Sequence, residues 1–417
     1  MWLIYGKKPI GKSFAICEFV IQCRVMEKYK LMAPCHFGME AVLKKEITQL
    51  GYEIVEVMDG RVIFAGGGDA IARANVFLRT AERILLIVGD FTATTFDELF
   101  EGIRKIDWPE YIPEDGRFWV AKAASVKSKL FSPSDIQSIV KKAMVEKMKE
   151  KYPCERFAED GEIFPLRIFI NKDRVLVGMD TTGESLHKRG YRKLVSHAPL
   201  AENLAAGLIM LTPWKYDRIL VDPFCGCGTI PIEAAMIAAR IAPGMNREFT
   251  AEMWPHLAAR KTWYAAVDEA NDMIDMSVAP DIQGYDIDDE MVKAARENAE
   301  AAGVAQMIHF QTRPVSQLSH PKKYGFIITN PPYGERIGEK DEIAGIYREL
   351  AERYTALDSW SAFVITGTDE AEKYMGRKAD KNRKIYNGMM KTYFYQFNGP
   401  KPAPRPRNNG TDADRRH

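Results

Sequence analysis

Two hydrophobic periodicities alternate along this chain, and their alternation predicts its elements. Apolar residues three and four apart mark helices, while short apolar or alternating runs bounded by turn residues mark strands. Residues 30–33 read as a strand. Residues 38–50 read as a helix, with Met39, Val42, Leu43, Ile47 and Leu50 along one face and Gly51 just past its end. Residues 54–57 and 61–65 predict a hairpin turning at Asp59-Gly60. Residues 26–69 thus form a small α+β unit. A second α+β unit is expected over 70–180, with helices at 70–78, 95–105 and 134–149 and strands at 83–91, 117–125, 166–170 and 174–180. Its long helix carries Ile136, Ile139, Val140, Ala143 and Met144 on one stripe.

From 203 to 398 longer helices alternate with short apolar strands, the rhythm of a doubly wound α/β domain. Residues 181–202 read as a linker. It holds the basic stretch Ser185-Leu186-His187-Lys188-Arg189-Gly190-Tyr191-Arg192, and His187 and His197 have no nucleophile or carboxylate partner in the pattern, so a packing role is expected for both. The tail 399–417 carries Pro400, Pro402, Pro404 and Pro406 and is expected to be disordered. Residues 1–25 are unpatterned. Lys7, Lys8 and Lys12 precede an apolar stretch at 14–25, but Glu18, Gln22 and Arg24 interrupt it and no small-residue cleavage site follows. The expectation is an over-extended start, with Met26 the initiator.

A chain of 417 residues implies two or three domains, and 46% hydrophobic with 28% charged residues is the composition of a soluble globular protein. The six cysteines lack metal-site spacing and predict reduced thiols and no metal. No run of 18 apolar residues occurs, so no transmembrane helix is expected and the location is read as cytoplasmic. The net charge of +1 hides an uneven distribution: residues 117–200 hold 17 Lys and Arg against 10 Asp and Glu. Lys127, Lys129, Lys141 and Lys142 are the candidates for contacts to phosphates; a solvated helix face is the alternative.

Two motifs carry chemistry. The apolar run 218–222 leads into Pro223-Phe224-Cys225-Gly226-Cys227-Gly228-Thr229, then a helix at 230–239. Strand, glycine loop and helix form a nucleotide-binding arrangement: glycines let the backbone approach a ligand, and the helix N-terminus favours an anion. This loop matches neither G-x-x-x-x-G-K-[ST] nor G-x-G-x-x-G, which weighs against a phosphate cradle there. A second strand at 281–285 ends at Asp286, where an acidic side chain binds ribose hydroxyls; Asp288 suits the N-cap of the following helix. About 100 residues past the glycine loop, the strand 326–329 runs into Asn330-Pro331-Pro332-Tyr333. An exocyclic amine on a base is a weak nucleophile because its lone pair is delocalised into the ring. The Asn330 side-chain oxygen and the Pro331 carbonyl offer two acceptors for its N–H groups, which localises that lone pair. Pro331 and Pro332 stiffen the turn and have no N–H to compete. Tyr333 offers a face for an extruded base.

The form Asp222-Pro-Phe-Cys-Gly-Cys-Gly-Thr229 resembles the S-adenosylmethionine (SAM) motif of class I methyltransferases. With His197-Ala198-Pro199-Leu200-Ala201-Glu202 and Asn330-Pro331-Pro332-Tyr333-Gly334-Glu335-Arg336-Ile337-Gly338, residues 185–398 resemble the bacterial THUMP-containing rRNA methyltransferases, the group that includes 23S rRNA guanine-N2 methyltransferase. Ser125-Val126-Lys127-Ser128-Lys129-Leu130 is the local feature most similar to a THUMP domain. The resemblance implies a ferredoxin-like unit at 26–69, a THUMP domain at 70–180 and a Rossmann-like methyltransferase domain at 203–398. It implies SAM contacts at Asp222, Phe224, Gly226, Gly228, Thr229 and Asp286, with Asn330 and Tyr333 at the base. It implies an RNA partner, 23S rRNA or a large-subunit assembly intermediate. One departure stands out: Gln311-Thr312-Arg313 replaces the acidic residue that often binds the SAM adenine, so that contact stays unassigned. Guanine and adenine present an amine to the same acceptors. A DNA adenine-N6 methyltransferase and a non-enzymatic ribosome assembly factor are the alternatives; the first needs a DNA target-recognition domain that the pattern lacks, and the second needs no paired acceptors.

Overall fold

The computed structural model describes residues 28–192, 200–333, 340–388 and 390–402. The expected initiator, His197 and most of the tail therefore lie outside the described residues, as do positions 334–339.

The front half is built on one seven-stranded sheet, in the order β2-β3-β1-β4-β7-β6-β5. Its strands are β1 (Tyr29–Pro34), β2 (Glu53–Met58), β3 (Arg61–Gly66), β4 (Leu85–Thr92), β5 (Arg117–Val126), β6 (Ile163–Asn171) and β7 (Arg174–Asp180). Helices α1 (Glu40–Gln49), α2 (Gly68–Phe77), α3 (Phe96–Arg104) and α4 (Pro133–Lys151) follow the expected periodicities. Thr95 caps α3 and Ser132 caps α4, each accepting a backbone N–H. The two predicted α+β units share this sheet, because β1 pairs antiparallel with both β3 and β4. Local periodicity carries no information about that long-range pairing, which is why two separate units were expected.

The rear half is a second seven-stranded sheet in the order β10-β9-β8-β11-β12-β14-β13. Its strands are β8 (Leu220–Asp222), β9 (Ile282–Asp286), β10 (Ile308–Thr312), β11 (Phe326–Thr329), β12 (Ser361–Thr366), β13 (Lys381–Asn387) and β14 (Met390–Phe397). Strands β8 to β12 are parallel; β14 runs antiparallel to both β12 and β13. Helices α5 (Glu202–Met210), α6 (Thr229–Ala238), α7 (Arg260–Asp272), α8 (Asp289–Ala301), α9 (Lys340–Ala356) and α10 (Ala371–Tyr374) complete the domain. The carboxyl ends of β8, β9 and β11 meet at one edge, where a doubly wound sheet holds its ligand.

The segment between α6 and β9 joins the halves. Trp254 stacks on Phe164 at 5.0 Å and donates to the Ile163 carbonyl at 3.0 Å. Arg73 on α2 forms a two-bond fork with Glu269 on α7, both at 2.8 Å. The stretch 181–192, expected as a linker, packs into the same joint, with Thr181, Thr182, Arg189 and Tyr191 buried. Among the described residues no helix is long and apolar enough to cross a membrane.

Candidate active site

The glycine loop leaves the fully buried strand β8 and turns back into α6. Gly226 (φ +52°) and Gly228 (φ +85°) both adopt the left-handed conformation, for different reasons. A side chain begun at Gly226 would meet nothing within 4 Å, so the loop is open above it. One begun at Gly228 would come within 3.0 Å of Ala295 on α8 and Phe310 on β10. Gly228 is thus required by packing, and Gly226 leaves room for a ligand. Among the described residues no side chain caps α6, so the first N–H groups, starting at Thr229, are available to an anionic group at the loop. Cys225 and Cys227 are buried, and burial pushes the Cys225 thiol well above its ordinary range, which removes it as a nucleophile.

Asp286 ends the neighbouring strand. Its carboxylate accepts the Gly226 N–H at 2.9 Å and the Asp288 N–H at 3.0 Å. Burial pushes the carboxyl upward, and these backbone donors pull it back. Each oxygen keeps a further lone pair for a ribose hydroxyl. Beside it Ile287 stands 76% exposed. Sequence reasoning missed Ile287, since a lone apolar residue between two aspartates makes no periodic signal. Asp288 caps α8 by accepting the Glu290 N–H at 2.9 Å. Of the residues considered for the adenine, Gln311 is exposed and Thr312 donates its hydroxyl to Asp289 at 2.6 Å.

Asp222 occupies a different position from the one expected of a cofactor contact. It is 1% exposed, and its Oδ1 accepts the Thr329 hydroxyl at 2.6 Å and the Phe224 N–H at 3.2 Å. Burial pushes this carboxyl up to about 7. Asp222 therefore ties the glycine loop to the last residue of β11. Thr329 is fully buried and was also missed. Asn330 follows directly. Its Oδ1 accepts the Tyr333 hydroxyl at 2.5 Å, and the Tyr333 ring lies along Gly367, just past β12, where an added side chain would touch it at 3.4 Å. Pro331 is buried and Pro332 exposed.

The four candidate lysines do not share one surface. Lys127 (φ +50°) and Lys129 are exposed in the loop ahead of α4. Lys141 turns inward: its ammonium lies 2.5 Å from Glu159 and 3.6 Å above the Phe118 ring. Lys142 is exposed and sits over Phe100 on α3 at 5.8 Å. Among the described residues no group of three or more His, Cys, Asp or Glu is placed to share a metal ion.

A doubly wound sheet with this strand order, an open glycine loop, an acidic end on the next strand and an Asn-Pro-Pro-Tyr turn on the same edge defines a class I SAM-dependent methyltransferase. The open space over Gly226, the uncapped helix start and the unfilled acceptor capacity of Asp286 fit that cofactor. Residues 189–396 match the methyltransferase domain described as RMKL-like, residues 30–85 the RlmL ferredoxin-like domain, and residues 93–180 the THUMP domain. YpsC of Bacillus subtilis, provisionally named an RNA methyltransferase, is 45% identical over 374 residues, covering 89% of this chain and 96% of YpsC. The ribosomal RNA large subunit methyltransferase K/L of Syntrophotalea carbinolica is 33% identical over 385 residues, covering 88% of this chain and 53% of that protein. The chain thus spans about half the length of the K/L relatives it matches. Two solved structures cover nearly all of it. SMU.472, provisionally called a methyltransferase and solved with SAH, is 42% identical with a TM-score of 0.84, covering 90% of this chain and 99% of that one. A Listeria monocytogenes protein named, by prediction, an N6-adenine-specific DNA methylase is also 42% identical, with a TM-score of 0.85 and coverage of 91% and 98%. The chain belongs to the THUMP-domain, SAM-dependent RNA methyltransferases of the RlmL kind.

Proposed function

We propose that this protein methylates the N2 amine of a guanine in 23S rRNA, either free or within a large-subunit assembly intermediate. The observation that carries the reading is the placement of Asn330. It stands at the carboxyl end of β11, fastened to the cofactor loop through Thr329 and Asp222, so an amine held there lies beside the loop. When bound, SAM supplies an electrophilic methyl group on a sulfonium sulfur. Asp286 would hold the ribose diol, and the exposed Ile287 beside it would offer an apolar surface to the adenine. Gly226, Gly228 and Thr229 form the floor, with Phe224 at its side. Asn330 Oδ1 and the Pro331 carbonyl accept the two N–H groups of the amine, and the Tyr333 ring supports the base. The Tyr333 hydroxyl fixes which end of the Asn330 amide faces inward, and Oδ1 retains its second lone pair for the amine. SAM would supply its methyl group to the amine lone pair that these acceptors localise, and the amine proton would then pass to water. Positioning supplies most of the acceleration. The front domain and the rRNA relatives support RNA over DNA.

The test is transfer of labelled methyl to unmodified 23S rRNA, 16S rRNA, tRNA and DNA in parallel, with the product nucleosides identified by mass. N2-methylguanosine from 23S rRNA is expected. N6-methyladenine in DNA would replace the substrate reading and keep the site chemistry, and transfer to none of them would turn the search to ribosomal particles.

A further inference from the structure

The carboxyl edge of the rear sheet is not bounded by the cofactor loops alone. Thr366, the last residue of β12, pairs with Tyr393. Residues 390–392 of β14, with their partners on β13, therefore run on past that edge. At about 3.3 Å per residue the overhang is about 10 Å. Asp222, Asp286 and Asn330 lie at the same edge, because β8, β9, β11 and β12 are parallel.

The overhang and the rung at its base have a distinctive composition. Lys384 pairs with Tyr393, and Tyr386 pairs with Lys391. Alternation places all four on one face. The Lys384 ammonium lies 5.2 Å from the Tyr386 ring centre and the Lys391 ammonium 4.8 Å from that of Tyr393. Both lysines are exposed and both rings half-buried. Among the described residues the nearby ion pairs use Lys373 with Glu370 and Arg377 with Asp380; Lys384 and Lys391 take part in none. The hairpin is also braced. His36 Nδ1 donates to the Tyr386 carbonyl at 2.9 Å, and the Phe37 ring meets Tyr386 edge-on at 6.0 Å. Gly38 lies so close that a side chain there would come within 2.8 Å of the Lys384 carbonyl.

We infer that this face of the β13–β14 hairpin is a docking surface for the single-stranded RNA that flanks the extruded target base. Two ammonium groups in no ion pair among the described residues suit phosphates, and two tyrosine rings between them suit unstacked bases. The contacts from His36, Phe37 and Gly38 hold the hairpin against the front unit. Paired RNA would offer backbone but no free base faces, so the aromatic interleaving favours a single strand. The inference rests on the reading of the protein as an RNA base methyltransferase.

The test uses the full chain with the double substitution Lys384→Gln, Lys391→Gln, the variant Tyr386→Ala, and Lys323→Gln as a charge control. Lys323 pairs with Asp358 at the opposite edge of the sheet. Affinity for a 20-nucleotide poly(U) and for a 23S rRNA transcript is measured across salt, with SAM affinity and melting temperature as folding controls. The double variant is expected to bind about tenfold more weakly and to lower the slope of log K against log salt by about 1.4, roughly 0.7 per lost contact on a single strand. Tyr386→Ala is expected to weaken binding about tenfold without changing that slope. Slopes and affinities equal to those of wild type and the Lys323 control overturn the inference, even where 23S rRNA is methylated. A hairpin-dependent slope on poly(U) without methylation of 23S rRNA sustains the inference while overturning the substrate proposed above.

Discussion

The Asp222 carboxylate sits between the two loops that carry the chemistry, and its burial has a measurable consequence. The folded carboxyl holds its proton up to about pH 7, whereas an ordinary aspartate releases it near 3.8. Across that window the folded state binds more protons than the unfolded one. The contribution of this group to stability is therefore complete below about pH 4 and lost as pH rises through 7. Asp222→Asn keeps an acceptor for Thr329 and does not ionise. In cofactor-free protein, the melting temperature of this variant relative to wild type is expected to climb between pH 5 and pH 8, with a free-energy gain of about 1–4 kcal/mol. A difference that stays constant with pH would mean that Asp222 titrates like an exposed carboxylate. At Asn330 the expectation is chemical. Asn330→Ala removes the acceptor proposed for the amine and is expected to cut turnover by at least about a hundredfold with SAM affinity nearly intact. Tyr333→Phe keeps the ring and loses only the hydroxyl that orients the amide, so turnover is expected to fall roughly fivefold, the worth of one ordinary hydrogen bond. Equal losses of SAM affinity and turnover in Asn330→Ala would make Asn330 a cofactor or structural residue.

Among the elements, those with a dense local pattern were legible and those defined by remote partners were not. Helix α1 and strand β11 appear within two residues of their expected bounds, because each buries a strongly periodic or continuous apolar run. The glycine loop and Asp286 stand where the spacing put them. Strand β13 has no comparable signature: of its seven residues only Ile385 is buried, so the hairpin was absorbed into a doubly wound expectation. The inward turn of Lys141 was invisible for the same reason, since Glu159 and Phe118 are distant in sequence. Arg192 is another residue whose meaning comes from its partners. Its guanidinium donates to Thr229 Oγ1 at 2.9 Å and to the Leu200 carbonyl at 2.8 Å, and lies 3.4 Å from Glu202. It thus fastens the first residue of α6, the helix that starts at the cofactor loop. Arg192→Ala is expected to weaken SAM binding by about tenfold, and Arg192→Lys to recover part of it, because an ammonium offers donors without the planar fork. Calorimetric SAM binding equal to wild type in the alanine variant would leave Arg192 a packing residue only.

At the scale of the whole molecule, the joint decides whether the front surface and the active site act as one body. Arg189 and Glu233 are 1% and 0% exposed and 3.4 Å apart. The Tyr191 hydroxyl donates to the same Glu233 oxygen at 3.2 Å, and Arg189 donates to the Arg79 carbonyl of the front unit at 2.6 Å. One apolar cluster also runs through both halves, from Leu31 to Phe394. A shared core of that kind couples the halves, so wild type is expected to unfold in a single calorimetric transition despite its two sheets. Arg189→Met leaves Glu233 buried without its cation, at a cost of about 3–5 kcal/mol, whereas replacing both members by Met and Gln removes the stranded charge. The single variant is expected to melt well below wild type, with the transition split as the front unit separates, and the double variant to regain most of the loss. Equal destabilisation in the single and double variants would mean that packing volume at this joint, rather than charge pairing, holds the THUMP-bearing front against the methyltransferase domain.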